Sequence, residues 1–199
     1  MNLLKRRHRL FLPRRGKLYL ESTEADPGRY DSRVDKVTYY PLEGGDAGTR
    51  QTISHMVRLI REGSADPVVK DFAINATAGI PFKDRKNVFY GLLNRVRSTF
   101  RYVNDSDGLE QIWTPRVHAD RVNRHGFTAA DCDDLAVWIG ALARSLGFRT
   151  RLVTLANGRR GKAFNHVLAE VEVSPGEWIS TDFLAPNTPR LRSETTVVD

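Results

Sequence analysis

A cysteine, a histidine and an aspartate stand in this chain at separations of 34 and 16 residues: Cys132, His166 and Asp182. These residue types supply a thiol nucleophile, its general base and the group that orients the base. A free thiol has a pKa of about 8.5, so little of it is thiolate at neutral pH unless a helix N-terminus or an imidazolium lowers that pKa. The sequence therefore predicts a site for thiol attack on a carbonyl carbon.

Cys132 is predicted to lie in the first turn of a buried helix. Residues 128–131 resemble a capping box, with Asp in place of the usual Glu or Gln. The helix ends at Gly147, and its apolar face is broad: Leu135, Trp138, Ile139, Leu142 and Leu146. Three aspartates surround the cysteine: Asp131, Asp133 and Asp134. Acidic side chains in the first turn interact favourably with the helix dipole, but their negative charge disfavours a neighbouring thiolate. Because no partner cluster with ligand spacing accompanies them, neither a metal site nor a cofactor is predicted.

His166 and Asp182 are predicted on neighbouring strands, 163–173 and 178–183. Alternation gives the first strand an apolar Val/Ala face and places His166 on the other face. If residues 174–176 form the hairpin loop, Val173 pairs with Glu177, and His166 and Asp182 become diagonal neighbours on one face. Other histidines are alternatives for the base, of which pattern alone leaves the last two open: His8, His55, His118 and His125.

Residues from about Phe100 to Asp182 resemble the transglutaminase-like (papain-related) core. The matching segments are Phe100-x-Tyr102 with a following Asp105, TAADCDDLAVWIGALARSLG at 128–147, RTRLV at 149–153, NHV at 165–167 with Glu170-Val171, and WISTD at 178–182. The resemblance implies a cysteine that opens a helix, and a histidine and an aspartate on successive strands of a small sheet. It also implies acyl transfer through a thioester, with a peptidase or amidase favoured over an amine cross-linker.

The oxyanion of such a reaction needs hydrogen-bond donors. The backbone N–H of Cys132 is one candidate. Two side chains upstream are further candidates, the amide of Gln111 and the indole N–H of Trp113.

The expected fold class is α+β: helices packed on a small antiparallel sheet, with an N-terminal helical extension and a basic arm. The chain is divided into an extended, loop-rich arm at 1–48, a helical extension at 49–99, the core at 100–185 and a tail at 186–199. Within the core, residues 109–127 are predicted to be loop-like. The tail contains two prolines and no periodicity, so surface or linker structure is expected there.

Composition narrows the class of protein. Of 199 residues, 40% are hydrophobic and 28% are charged, which is typical of a globular domain rather than a disordered chain. No apolar run approaches the roughly 20 residues that cross a bilayer. The first residues lack the apolar stretch of a signal peptide, so a cytoplasmic protein without membrane contact is expected. The single cysteine fits a reducing compartment.

The formal net charge of +7 equals the charge of the first 17 residues, which contain no acid. Such an arm is either a solvated tail or a segment that contacts a polyanion, meaning nucleic acid or acidic assembly subunits. The residues predicted for that contact are Lys5, Arg6, Arg7, Arg9, Arg14, Arg15 and Lys17. A protein or peptide is the other expected partner, as substrate. The alternative function is a structural or assembly protein of a phage virion that uses the same fold with a weak or inactive site.

Overall fold

The computed structural model describes residues 17–23, 35–105, 109–156, 164–183 and 192–199. Five helices occur in these ranges: α1 (Gly45–Ala65), α2 (Pro67–Ala76), α3 (Arg85–Thr99), α4 (Pro115–His125) and α5 (Cys132–Ser145). The strands are β1 (Lys17–Thr23), β2 (Asp35–Pro41), β3 (Phe100–Tyr102), β4 (Leu109–Trp113), β5 (Thr128–Ala130), β6 (Arg149–Ala156), β7 (His166–Ser174), β8 (Glu177–Ser180) and β9 (Arg192–Val198). None of the helices within the described ranges combines the length and apolar character needed to span a bilayer.

Helix α5 lies at the centre of the fold. Every residue from Cys132 to Ala143 is buried, so the helix contacts other elements on all sides. Trp138, which is 1% exposed, meets the edge of the Phe72 ring of α2 at a centroid distance of 5.3 Å. Val171 and Val173 of β7 belong to the same core cluster. A helix buried all round is rigid, and the residues at its N-terminus are correspondingly well fixed.

Helix α1 packs closely against α5. Gly140 of α5 faces Ile60, and a Cβ atom added to that glycine would lie 2.9 Å from Ile60 Cδ1. Met56 and Ile60 of α1 are fully buried in a cluster that also contains Cys132. The glycine therefore permits the close approach of the two helices, and α1 is part of the hydrophobic core around the cysteine.

The largest sheet is antiparallel, with the strand order β8-β7-β6-β9. One face of β7 is buried throughout, as the alternation predicts, and its residues are Val167, Ala169, Val171 and Val173. Helices packed on this sheet give the α+β class, which is confirmed. Strand β9, which pairs with β6, lies in the segment expected to be surface or linker. No pattern in that segment predicts the pairing.

Two smaller sheets accompany the main one. Strand β1 pairs antiparallel with β2 and parallel with β4, and β3 pairs parallel with β5. The loop-like prediction for residues 109–127 is therefore wrong, because this segment forms β4 and α4. Pro115 starts α4 and Gly126 ends it with a φ of 79°. The helix was missed because its buried face has few apolar side chains: Val117, Ala119 and Val122 beside the polar His118.

The β7–β8 hairpin determines where Asp182 lies. Glu170 pairs with Ser180 and Glu172 with Trp178, which is the ladder that the sequence predicts. The turn differs from the three-residue loop predicted at 174–176. Ser174 pairs with Glu177, so only two residues form the connection. A bulge between Glu172 and Ser174 absorbs the extra residue, so the register toward His166 is unchanged.

Candidate functional site

His166 and Asp182 form a hydrogen-bonded pair. The Nε2 atom of His166 lies 2.8 Å from Oδ2 of Asp182. Their side chains are only 12% and 5% exposed, so water competes little for this contact. Because a carboxylate accepts, the ring donates from Nε2, and Nδ1 is left as the basic nitrogen.

Asp182 follows β8 in a short segment anchored to β7. The backbone N–H and the hydroxyl of Thr181 both donate to the carbonyl of Ala169, at 3.0 and 2.9 Å. The backbone N–H of Asp182 donates to Ser180 Oγ at 3.2 Å. Thr181 is 2% exposed, so these bonds hold the Asp182 carboxylate beside the start of β7, where His166 is the first residue.

Cys132 meets the same end of β7. It is the first residue of α5, and the backbone N–H of Val167 donates to its sulfur, which favours the thiolate. A small cavity is lined by Cys132, His166 and Asp182 together with Leu135, Ala136, Val167, Leu168 and Thr181. The three residues singled out from the sequence therefore line one cavity.

Buried acids oppose ionisation of the thiol. Burial raises the pKa of Cys132 well above its ordinary value, and the charges of Asp131, Asp133 and Glu110 raise it further. Burial also raises the pKa of Glu110 to about 8 and that of Asp105 to about 6. The resting form of Cys132 at neutral pH is consequently the neutral thiol.

The three aspartates of the α5 start have distinct contacts. Asp131 caps the helix by accepting from the N–H of Asp133 at 3.3 Å, and Asp133 Oδ1 accepts from the N–H of Asp134 at 2.7 Å. Asp131 and Asp133 therefore act as helix-start residues, as the sequence predicts. Oxygens of Asp131, Asp133 and Asp134 all lie within 4.8 Å of one another, and the three residues are buried. They are the described residues that could hold a metal ion.

His118, one of the alternative bases, has a structural role. It is fully buried, with Nε2 3.0 Å from Asp134 Oδ1 and Nδ1 3.0 Å from Thr128 Oγ1. Burial and the nearby Arg121 lower its pKa to about 3, so the ring is neutral. Both nitrogens are occupied by these partners, and the ring packs on Trp138 at 4.7 Å. His118 is therefore not placed to take a proton from Cys132.

The other histidines lie elsewhere. His125 is the exposed last residue of α4, and His55 is half-buried on α1, where burial and Arg58 lower its pKa. His8 lies outside the described residues, as do six residues of the basic arm: Lys5, Arg6, Arg7, Arg9, Arg14 and Arg15. Lys17 is the first residue of β1. The polyanion contact therefore stays a prediction.

The two candidate oxyanion side chains do not line the cavity shared by Cys132 and His166. Gln111 donates its backbone N–H to Asp105 at 2.5 Å. Trp113 has Arg121 stacked on its ring at 3.2 Å, and its buried indole nitrogen has no hydrogen-bond partner among the described residues. Their oxyanion role stays a prediction.

Tyr102 is a residue that the sequence analysis did not select for the site. It pairs with Ala130, two residues before Cys132, and its hydroxyl donates to Asn104 Oδ1 at 3.0 Å. Burial raises the pKa of Tyr102, and the charges of Cys132 and Asp131 raise it further. The signal available in the sequence was its position in the Phe100-x-Tyr102 motif.

A second small cavity lies on the α1 side of His166. Its wall includes Ile53 and Met56 together with three threonines: Thr49, Thr52 and Thr154. Thr52 is 1% exposed, and its hydroxyl has no hydrogen-bond partner within the described part of the chain. Helix α1 precedes the core predicted from the sequence. It nevertheless lines this cavity together with His166.

A helix that begins at a cysteine, followed by a histidine and an aspartate at the ends of two paired strands, is the arrangement that the sequence resemblance implied. A family model described as the transglutaminase-like superfamily matches residues 82–183, about half of the chain. The chain belongs to the transglutaminase-like superfamily. No curated protein matches it.

One solved structure shares the fold of this superfamily member. It comes from Parabacteroides distasonis ATCC 8503 and is described as a "putative protease". The two chains are 9% identical with a TM-score of 0.52, and the match covers 90% of this chain and 39% of the other. This chain thus spans about two fifths of the length of that structure. At so low an identity, the likeness supports the common fold alone.

Proposed function

We propose that this protein is a thiol-dependent acyl-transfer enzyme that hydrolyses a peptide or carboxamide bond. The observation that carries the proposal is the 2.8 Å contact between His166 and Asp182 at the cavity that Cys132 also lines. Asp182 holds the Nε2–H tautomer, so the free Nδ1 of His166 can accept the proton of Cys132. No other histidine among the described residues lines that cavity.

The reaction starts from a neutral thiol, because burial and acidic neighbours raise the pKa of Cys132. His166 Nδ1 takes the thiol proton as the sulfur bonds to the carbonyl carbon, which gives a tetrahedral oxyanion. When the C–N bond breaks, His166 gives that proton to the departing amine and a thioester remains. His166 then deprotonates a water molecule, which attacks the thioester. The carboxylic acid product leaves, and His166 returns the proton to the sulfur of Cys132.

The acceptor of the thioester decides the class of activity, since an amine in place of water would give a cross-linker. Hydrolysis is favoured by the resemblance of the core to small bacterial-type relatives, and the protease named in the neighbour's description agrees with it. The assembly role with a weak or inactive site is the alternative, and the same experiment separates the two.

The test is to incubate the full chain with an unfolded protein substrate, with and without a fluorescent primary amine. Mass spectrometry reports cleaved peptides, deamidated side chains and amine adducts. Hydrolysis products that disappear in Cys132→Ala support the proposal. Absence of every product, together with no covalent adduct of Cys132 with a peptidyl electrophile, would refute it in favour of the assembly role.

A further inference from the structure

The two-stranded sheet of β3 and β5 leads directly into Cys132. The strands run parallel, and the N–H of Val103 continues their pairing by donating to the Ala130 carbonyl at 2.8 Å. Ala130 lies two residues before Cys132. The Phe100 ring of β3 meets the ring of Phe183 at a centroid distance of 6.4 Å. Because Phe183 directly follows the aspartate of the site, the sheet adjoins both the thiol and the carboxylate.

The outer face of this sheet exposes apolar side chains. Alternate residues of the two strands point inward and are buried: Phe100, Thr128 and Ala130. Outside them, Val103 is 54% exposed and Phe127, the residue before β5, is 44% exposed. With Tyr102 at the end of β3, three of the seven large hydrophobic side chains exposed in the described ranges lie here. Single exposed apolar residues are ordinary, but a group beside a reactive side chain indicates a binding surface.

A cation lies on the same face. The guanidinium of Arg101 lies over the Phe127 ring, 5.6 Å from its centroid, so the two side chains share this face. The cation–π contact gives the guanidinium a defined position. Arg101 is exposed, and no carboxylate within the described part of the chain forms an ion pair with it. Its charge is therefore available to an acidic group of a ligand.

We propose that this outer face binds the substrate as an extended peptide with a large apolar side chain and, two residues away, an acidic side chain. The apolar side chain packs on Val103 and Tyr102, and the acidic side chain pairs with Arg101. Val103 and Arg101 are two residues apart along one strand face, about 7 Å, which is also the spacing of alternate side chains in an extended peptide. This assignment rests on the proposed function, because the adjoining thiol makes a peptide the expected occupant.

The charge of the chain favours an acidic peptide over a second copy of the protein. The formal net charge is +7, so a second copy complements an exposed arginine poorly. The length of the surface also suits a peptide. Phe127 lies five residues before Cys132, so the surface extends at most about 17 Å from the thiol, the length of five extended residues.

Binding is measured on the full chain as Cys132→Ala, which performs no chemistry, by fluorescence anisotropy of fluorescein-labelled peptides. The first peptide contains Glu-Ser-Leu-Ser-Glu, with an acid on both sides so that either direction of binding presents one to Arg101. The second has Ser in place of Leu, and the third has Lys in place of both Glu residues. We expect the first to bind about tenfold more tightly than either of the others.

Substitutions on the surface are expected to change these preferences selectively. In the Cys132→Ala background, Arg101→Glu should reverse the preference between the Glu and Lys peptides, and Val103→Ser should reduce the preference for Leu over Ser. The matched controls are Lys70→Glu and Ile74→Ser, exposed on α2, which change charge and polarity in the same way and should leave both preferences intact. Circular dichroism checks that every variant is folded.

No saturable binding of any peptide, or preferences that persist in Arg101→Glu and Val103→Ser, would overturn the proposal. Sedimentation velocity examines the other occupant. A dimer that Val103→Ser dissociates, without peptide binding, would assign the surface to a second copy and also overturn the proposal.

Cleavage of the same peptides by the protein with its thiol intact is measured separately. We expect kcat/KM to follow the binding preferences and Arg101→Glu to raise KM for the Glu peptide with little change in kcat. If the peptides bind as expected and none is cleaved, the surface stands and the proposed function fails. Cleavage that ignores both Leu and Glu would leave the proposed function in place and overturn the surface.

Discussion

Asp182 contacts His166 through a 2.8 Å hydrogen bond, although Asp182 lies beyond the last paired residue of β8. The bond exists because Thr181 continues the pairing with a double contact to the Ala169 carbonyl. The geometry of the pair therefore depends on a threonine that takes no part in proton transfer. The site can therefore be tested by substitutions of residues that lie at different distances from Cys132.

The first prediction concerns the base. Because the chain has a single cysteine, iodoacetamide reports on Cys132 alone. His166→Ala is expected to slow labelling near neutral pH by about tenfold or more, since the proton acceptor is lost. Asp182→Asn should slow it less, because the ring remains. His125→Ala, an exposed histidine, serves as the control and should have no effect. Labelling that ignores the loss of His166 would mean an inactive site.

The second prediction concerns His118. Its replacement by Gln should lower the free energy of unfolding by about 2–4 kcal/mol, because a buried side chain with two hydrogen bonds is disturbed. Urea unfolding at neutral pH measures the loss. In protein that remains folded, His118→Gln should leave the rate of Cys132 labelling nearly unchanged. A large loss of labelling with unchanged stability would return His118 to the list of candidate bases.

The third prediction gives the pH dependence of the same residue. The folded state lowers the pKa of His118 to about 3 from an ordinary 6.5, so the unfolded chain binds the proton more readily. Its contribution to stability is present above pH 6.5 and is lost as the pH falls toward 3. The difference in unfolding free energy between wild type and His118→Gln should therefore shrink over that window. A difference independent of pH would contradict the neutral, buried ring.

The fourth prediction concerns the close approach of α1 and α5. Gly140→Ala would place a Cβ atom 2.9 Å from Ile60 Cδ1, so we expect a loss of about 1–3 kcal/mol in unfolding free energy. Ile60→Val removes that methyl group, and the double variant should recover part of the loss. Ser54→Ala, an exposed change on α1, is the control. Purely additive effects in urea unfolding would show that the two side chains do not meet.

The fifth prediction concerns the oxyanion. Tyr102 pairs with the strand that leads into Cys132, and burial, followed by its closeness to Cys132 and Asp131, raises its pKa. We expect Tyr102→Phe to lower kcat by about 100-fold or more, the range seen when an oxyanion donor is removed. Gln111→Ala and Trp113→Phe should have smaller effects, because these residues lie on β4, whereas Tyr102 lies on the strand that pairs with the residues leading into Cys132. A larger loss in either of these two would restore that side chain as the donor.

The sequence predicted features that depend on local pattern. Alternation along β7 identified its buried face, and hairpin register alone brought His166 to the side of Asp182. The capping role of Asp131 also follows from its place before an apolar helix. The pairing of β1 with β4 could not be predicted from the sequence, because it joins segments about 90 residues apart and leaves no periodic signal. The meeting of Glu110 with Asp133 was missed for the same reason, and α4 was missed because its buried face includes a polar histidine.

The position of α1 has a consequence for the boundaries of the folding unit. The family match begins at residue 82, whereas Met56 and Ile60 complete the core around Cys132 and Ile53 lines a cavity at His166. A fragment confined to the matched residues would expose the apolar flank of α5 to water and is expected to aggregate. The smallest autonomous piece that retains the thiol site must therefore start no later than Gly45, and substitutions in α1 and α5 should constrain one another as the chain diverges.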